Sequence, residues 1–161
     1  MSDEVEIDKK TLTNQRTAAV RESLEKEKGY VREGKGTREW TPEQQEEIMA
    51  GERPKDDNGK AYEGHHMKSV SKYPAHAGNR ENIQWLSRDE HKAAHGGNFH
   101  TPTNGRYNPD NGCTKVFFDN QEPKAPEPQP LKELAKPEEQ ANKTEETKST
   151  ELSTAQGKGR T

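Results

Sequence analysis

Four of the six histidines in this 161-residue chain fall where they could act together. His65 and His66 are adjacent and follow Gly64. His91 and His95 lie four apart, in a stretch that opens with Ser87-Arg88-Asp89-Glu90 and closes with Gly96-Gly97. On a helix, residues i and i+4 share a face, so two imidazoles there can hold one divalent ion. On a strand, neighbours point to opposite faces. One of His65 and His66 can therefore join the helix pair as a third ligand while the other stays free, with a bulge at Gly64 to re-aim one of them. The free imidazole could take a proton from water, and three histidine ligands leave positions open for a phosphate oxygen and a leaving oxygen. Asn82 is suited to orient that base. Its side chain, or a backbone carbonyl across the paired strand, can hold the imidazole's other nitrogen.

The elements that must carry these groups are legible nearby. Residues 61–70 read as a strand, preceded by the turn dipeptide Asn58-Gly59. Residues 82–86 read as a second strand with Ile83, Trp85 and Leu86 apolar. Ser87 and Glu90 form a capping box that starts the histidine helix, and Gly96-Gly97 stops it. Upstream, Thr41-Pro42-Glu43-Gln44 is another helix start, and Trp40 or Ile48-Met49 should pack that helix on the core. A stripe of Leu12, Ala18, Ala19, Val20 and Leu24 marks a helix from about Asn14 to Lys28, too thin an apolar face to read as more than a solvated, peripheral one. Residues 98–120 read as a turn-rich return in which Val116-Phe117-Phe118 packs back on the domain.

Composition limits the folded part. Hydrophobic residues make up 24% of the chain and charged residues 34%, against roughly 45–50% apolar, glycine included, in ordinary domains. Much of the chain cannot bury enough surface to offset its ordering entropy. Residues 121–161 hold five prolines and no aromatic side chain. The expected organisation is a charged segment over 1–35, a domain over 36–120 and a disordered tail over 121–161. So small a core gains from a bound metal. Cys113 is the single cysteine, which excludes an intramolecular disulfide and a paired-cysteine zinc knuckle. No apolar run reaches the roughly 18 residues of a membrane span, and the first residues have no secretory-signal pattern. A soluble, cytoplasmic protein with no membrane partner is expected. The net charge of -3 speaks against a nucleic-acid binder unless a local patch or a metal supplies the positive field.

Gly64-His65-His66, Asn82-Ile83, and Ser87-x-x-Glu90-His91 followed by His95-Gly96-Gly97-Asn98 together resemble the HNH endonuclease superfamily with its ββα-metal fold. The pattern is similar to the Gly-His-His variants of bacterial polymorphic toxins and phage genomes, and colicin-type DNases share the double histidine followed by a two-histidine helix. The resemblance runs from about Gly36 to Arg106 and includes Arg38-Glu39-Trp40-Thr41 and Arg53-Pro54. It implies an α+β fold, a small ββα-metal core with flanking helices. It implies a metal-dependent DNA endonuclease with His66 as general base and Asn82 as the middle asparagine of the motif. His65, His91 and His95 would bind one divalent ion: Mg, Mn, Ni or Zn. The chain departs from the zinc-stapled branch in lacking cysteine pairs. Its motif helix is also weakly basic, with only Arg88 and Lys92 beside the histidines, so duplex affinity would be modest or rest on Arg38, Lys68, Lys72, Arg80 and Arg106.

Other residues weigh less. Glu63 suits either a metal histidine's outer partner or the surface. His76 and His100 read as solvent-facing, Asn98 as a tie between helix end and site, and Cys113 as no nucleophile. Two other functions fit the same histidines: a non-catalytic histidine–zinc module that binds nucleic acid or protein, and an RNA-cleaving toxin. No aromatic platform favours single-stranded RNA. A phage enzyme would act in the host cytoplasm. A toxin would be delivered to a target cell and paired with an immunity protein, although 161 residues from Met1 leave little room for a delivery region.

Overall fold

The motif hairpin carries the double histidine and leads directly into the helix that bears His91. In the computed structural model, which describes residues 8–135, strands β2 (Glu63–His66) and β3 (Ile83–Leu86) pair antiparallel in unbroken register. Gly64 lies opposite Trp85 and His65 opposite Gln84. No bulge interrupts β2, contrary to one sequence expectation. The glycine is needed for close approach instead: a Cβ there would sit 3.0 Å from the Val20 side chain. Helix α3 (Arg88–Ala94) follows directly, with the Ser87–Glu90 capping box formed in both directions. Gly96 and Gly97, at φ 70° and 94°, end it in the left-handed region that glycine tolerates. The expected small α+β architecture is present, and its strands occur as short antiparallel pairs.

Helix α1 (Lys9–Arg32) packs on the hairpin, and a further helix, α2 (Pro42–Met49), packs on α1. Helix α2 starts at the Thr41–Gln44 capping box and buries Ile48 and Met49. Helix α1 is longer than its apolar stripe suggests and is part of the core. Its buried residues are Ala19, Ser23, Glu27 and Val31, one per turn. Two of the four are polar, so hydrophobic periodicity could not show the stripe. Both polar members meet tryptophan indoles: Trp85 Nε1 donates to Ser23 Oγ at 3.0 Å, and Trp40 Nε1 donates to Glu27 Oε2 at 2.7 Å. Glu27 also accepts from the Thr37 backbone and hydroxyl, at 2.7 and 2.9 Å, so this buried carboxylate is fully engaged. The core cluster joins Ala19, Val31, Trp40, Ile48, Met49, Ile83, Trp85 and Leu131.

The first part of the expected tail is structured. Strand β1 (Lys35–Gly36) pairs with β6 (Gln129–Pro130), and Leu131 enters the core. Buried Gln45 holds this return on both sides, donating to Glu133 O at 2.6 Å and accepting from Ala135 N at 2.9 Å. These contacts are long-range in sequence, and a composition argument cannot find them. The rest of the expected tail lies outside the described residues. The hairpin β4 (Gly105–Tyr107) and β5 (Thr114–Val116) also differs from expectation at its end: Phe117 is buried, but Val116 and Phe118 are 73% and 79% exposed. No helix among the described residues is long and apolar enough to cross a membrane.

Candidate active site

Strand alternation sorts the double histidine. His65 is 1% exposed and turns toward α3, where its ring lies 4.9 Å from that of His91 and 5.1 Å from that of His95. One nitrogen from each of the three rings falls within 4.8 Å of the others. Each helix histidine is held by its Nδ1. His91 Nδ1 meets Glu63 Oε1 at 2.7 Å, and His95 Nδ1 donates to the Thr101 carbonyl at 2.7 Å. Both Nε2 atoms are thereby left with their lone pairs for a ligand. His65 Nδ1 is buried without a hydrogen-bond partner. An orphaned buried nitrogen next to two tautomer-fixed imidazoles is the donor chemistry of a divalent metal site, so the residues present fit such an ion.

Burial, with the neighbouring imidazoles adding to it, keeps His65 well below its ordinary pKa, in the neutral form that can ligate. Burial lowers His91 too, partly offset by Glu63. Burial pushes the Glu63 carboxyl up, but hydrogen bonds from His91 and Arg88 outweigh it and hold it ionised below the usual range. Arg88 Nη1 donates to Glu63 Oε2 at 3.1 Å. Its guanidinium also lies 4.7 Å over the Phe99 ring, which packs against His91 and His95. Glu63 is therefore the outer partner of a histidine, one of the two roles open to it from sequence.

His66 stands apart from the cluster. Its Nε2 donates to the Ala77 carbonyl at 3.0 Å, which leaves Nδ1 as the nitrogen with a lone pair. Burial lowers its pKa. The Ala77 bond opposes this, and the charges of Arg16 and His91 reinforce it. The orienting group is thus a backbone carbonyl, and it comes from the loop between the strands. Asn82 does not bond His66. It is fully buried and ties that loop together: Oδ1 accepts from Lys68 N at 2.8 Å, and Nδ2 donates to the carbonyls of Lys68 at 3.0 Å and His76 at 3.3 Å. The His76 carbonyl is the one next to Ala77.

A cavity of about 460 Å³ opens on these groups, lined by Arg16, His66, His91, His95, Phe99 and His100 among others. No carboxylate lines it. A larger cavity, about 670 Å³, lies between the 37–40 segment and the β4–β5 hairpin. It contains Cys113 and none of the histidines, whereas His66, His91 and His95 line the smaller one.

The basic residues expected to grip a duplex divide. Lys68 is buried, donating to the Phe118 and Asp119 carbonyls at 2.9 and 3.1 Å beneath the Tyr73 ring, and faces no substrate. Arg38 is bound bidentately to Glu90 and stacks on Tyr62. Arg106 donates to the Lys124 carbonyl. Lys72 and Arg80 remain exposed. Asn98 turns the chain after α3, accepting from His100 N and Thr101 N, and so brings the Thr101 carbonyl to His95. Sequence reasoning missed Arg16, Phe99 and the carbonyls of Ala77 and Thr101. Backbone carbonyls carry no sequence signal, and Arg16 sits in a helix read as peripheral.

No curated protein and no solved structure matches the chain. Residues 6–87 match the Tox-GHH family model, described as a GHH-signature-containing HNH/Endo VII superfamily nuclease toxin. The matched segment includes α1 and the Gly64-His65-His66 signature and stops at Ser87, so His91 on α3 and His95 at the C-cap of α3 lie beyond it. With half of its length matched, and with the double histidine set on a β-hairpin before a histidine-bearing helix, the chain belongs to the GHH-signature nuclease toxins of the HNH/Endo VII superfamily.

Proposed function

We propose that the chain is a metal-dependent endonuclease that hydrolyses phosphodiester bonds in DNA inside a target cell, with His66 as general base. The observation that carries this reading is a division of labour. Three histidine nitrogens converge, while a fourth histidine opens on the same cavity with its Nε2 occupied by the Ala77 carbonyl. A purely structural zinc site has no need of that fourth group. His65, His91 and His95 would hold the ion. A divalent ion so held supplies a Lewis acid for charge that develops on phosphate and leaving oxygens. His66 Nδ1 accepts the proton of the attacking water, and the Ala77 carbonyl holds the ring as the charge appears. The cavity's only ring outside the histidines, Phe99, is engaged with His91, His95 and Arg88, which leaves no free stacking platform for single-stranded RNA. A toxin of this kind needs an immunity protein in the producing cell as its partner.

Incubating the purified chain with supercoiled plasmid and Mg, Mn, Ni or Zn should give nicked and linear products, and a chelator should stop the reaction. Cleavage of RNA alone would change the substrate, and no cleavage of either with any of the four ions would end the enzyme reading. Calorimetric melting with and without chelator separates the binding-module alternative, which would unfold when stripped of metal and never cut. Glu63 gives a further check. Glu63→Ala should weaken divalent-ion binding about 10–100-fold by titration calorimetry, because His91 loses its carboxylate partner. Unchanged affinity would mean that His91 needs no such orientation.

A further inference from the structure

We infer that Arg16 is a substrate-contacting residue: its guanidinium holds the phosphate of the strand being cut, from the wall contributed by α1. The inference rests on the nuclease reading above and adds a residue to it. Arg16 lines the same cavity as His66, His91 and His95. The helix carrying it is fixed at two points around the base. Val20, one turn further along α1, is the side chain that Gly64 must accommodate. Gln15, its neighbour, would contact a Cβ placed on Gly78, directly after the Ala77 whose carbonyl holds His66. Arg16 is therefore delivered by a packed helix, not by a loose surface segment.

Its charge is also uncommitted. Arg38 and Arg88 are both paired with carboxylates, whereas Arg16 makes no hydrogen bond or ion pair among the described residues and is exposed. An unpaired guanidinium in a cavity with histidines and no carboxylate is suited to a phosphodiester, whose two non-bridging oxygens match the guanidinium fork. The chain carries a net charge of -3, yet this opening is lined by a guanidinium and by no carboxylate, which meets the objection that its overall balance raises.

The test compares wild type, Arg16→Gln, Arg16→Lys and Arg21→Gln on a short labelled DNA duplex, under single-turnover conditions with the ion that supports wild-type cleavage. Arg21 is exposed on the same helix and does not line the cavity, so it controls for general charge loss. Duplex binding is measured in parallel in the His66→Ala background, as log affinity against log salt. Arg16→Gln should lower the cleavage rate about 100-fold and flatten the salt slope by about one. Arg16→Lys should keep part of both as a point charge, and Arg21→Gln should change the rate less than about 2-fold. If Arg16→Gln cleaves like wild type, or falls no further than Arg21→Gln, the inference is overturned while the nuclease reading stands. If wild type neither binds nor cuts DNA, both fall together. Because the Arg16 side chain is exposed and unbonded among the described residues, the variants should fold as wild type does, and circular dichroism checks it.

Discussion

His66→Ala is expected to reduce plasmid cleavage by about 100- to 10,000-fold while leaving divalent-ion binding and the melting temperature close to wild type. The three-way separation follows from the geometry. The converging ligands are His65, His91 and His95, so the ion site does not lose a donor. The single described hydrogen bond of the His66 ring is the one to the Ala77 carbonyl, in a part-buried position where water can replace it. His65→Ala, by contrast, should lose both ion binding and activity. Nicking rates, titration calorimetry and circular dichroism on the two variants give the comparison. A His66→Ala protein that cuts at the wild-type rate would remove His66 from the mechanism. One that cuts slowly because it no longer binds the ion would move His66 into the ligand set.

Asn82→Ala should be the most damaging neutral substitution near the site. Asn82 satisfies the Lys68 N–H and the Lys68 and His76 carbonyls, all within the loop that joins β2 to β3. Alanine leaves those buried groups unpaired, at a combined cost of about 3 kcal/mol, read as a shift in the urea midpoint. Activity should fall with it, because the Ala77 carbonyl that orients His66 lies beside the freed His76. Asn82 is then a positioning residue, acting through the loop. Hydrogen exchange over 67–78 distinguishes this from direct participation: the loop amides should lose protection in Asn82→Ala. If stability and protection are unchanged but cleavage is lost, Asn82 touches the substrate instead.

The parts of the fold visible in advance are those whose cause is local. The Thr41–Gln44 and Ser87–Glu90 capping boxes each span four residues, and both formed as read. The same holds for the pairing of His91 with His95, because helical spacing alone puts them on one face. Gly64 was legible as a special position but not as the right kind: the bulge reading came from the strand, whereas the cause is Val20 on a distant helix. Lys68 and Arg38 were misplaced for a related reason. A basic side chain is a substrate contact only if the fold leaves it free, and long-range partners, the Phe118 and Asp119 carbonyls and Glu90, take both.

By itself, then, the sequence determined the chemical inventory: four histidines with the spacing for one metal and one base, the helix that carries two of them, and the glycine beside the other pair. Tertiary structure decided which groups are left to act. It turned His65 to α3, set the Ala77 carbonyl on His66, placed Glu63 on His91, and made a partly polar stripe on α1 into the wall that brings Arg16 to the cavity. The physical reason is the same in each case. Residue type and short spacing specify what a side chain can do, but which hydrogen-bonding groups remain unpaired depends on backbone carbonyls and helices brought in from far along the chain.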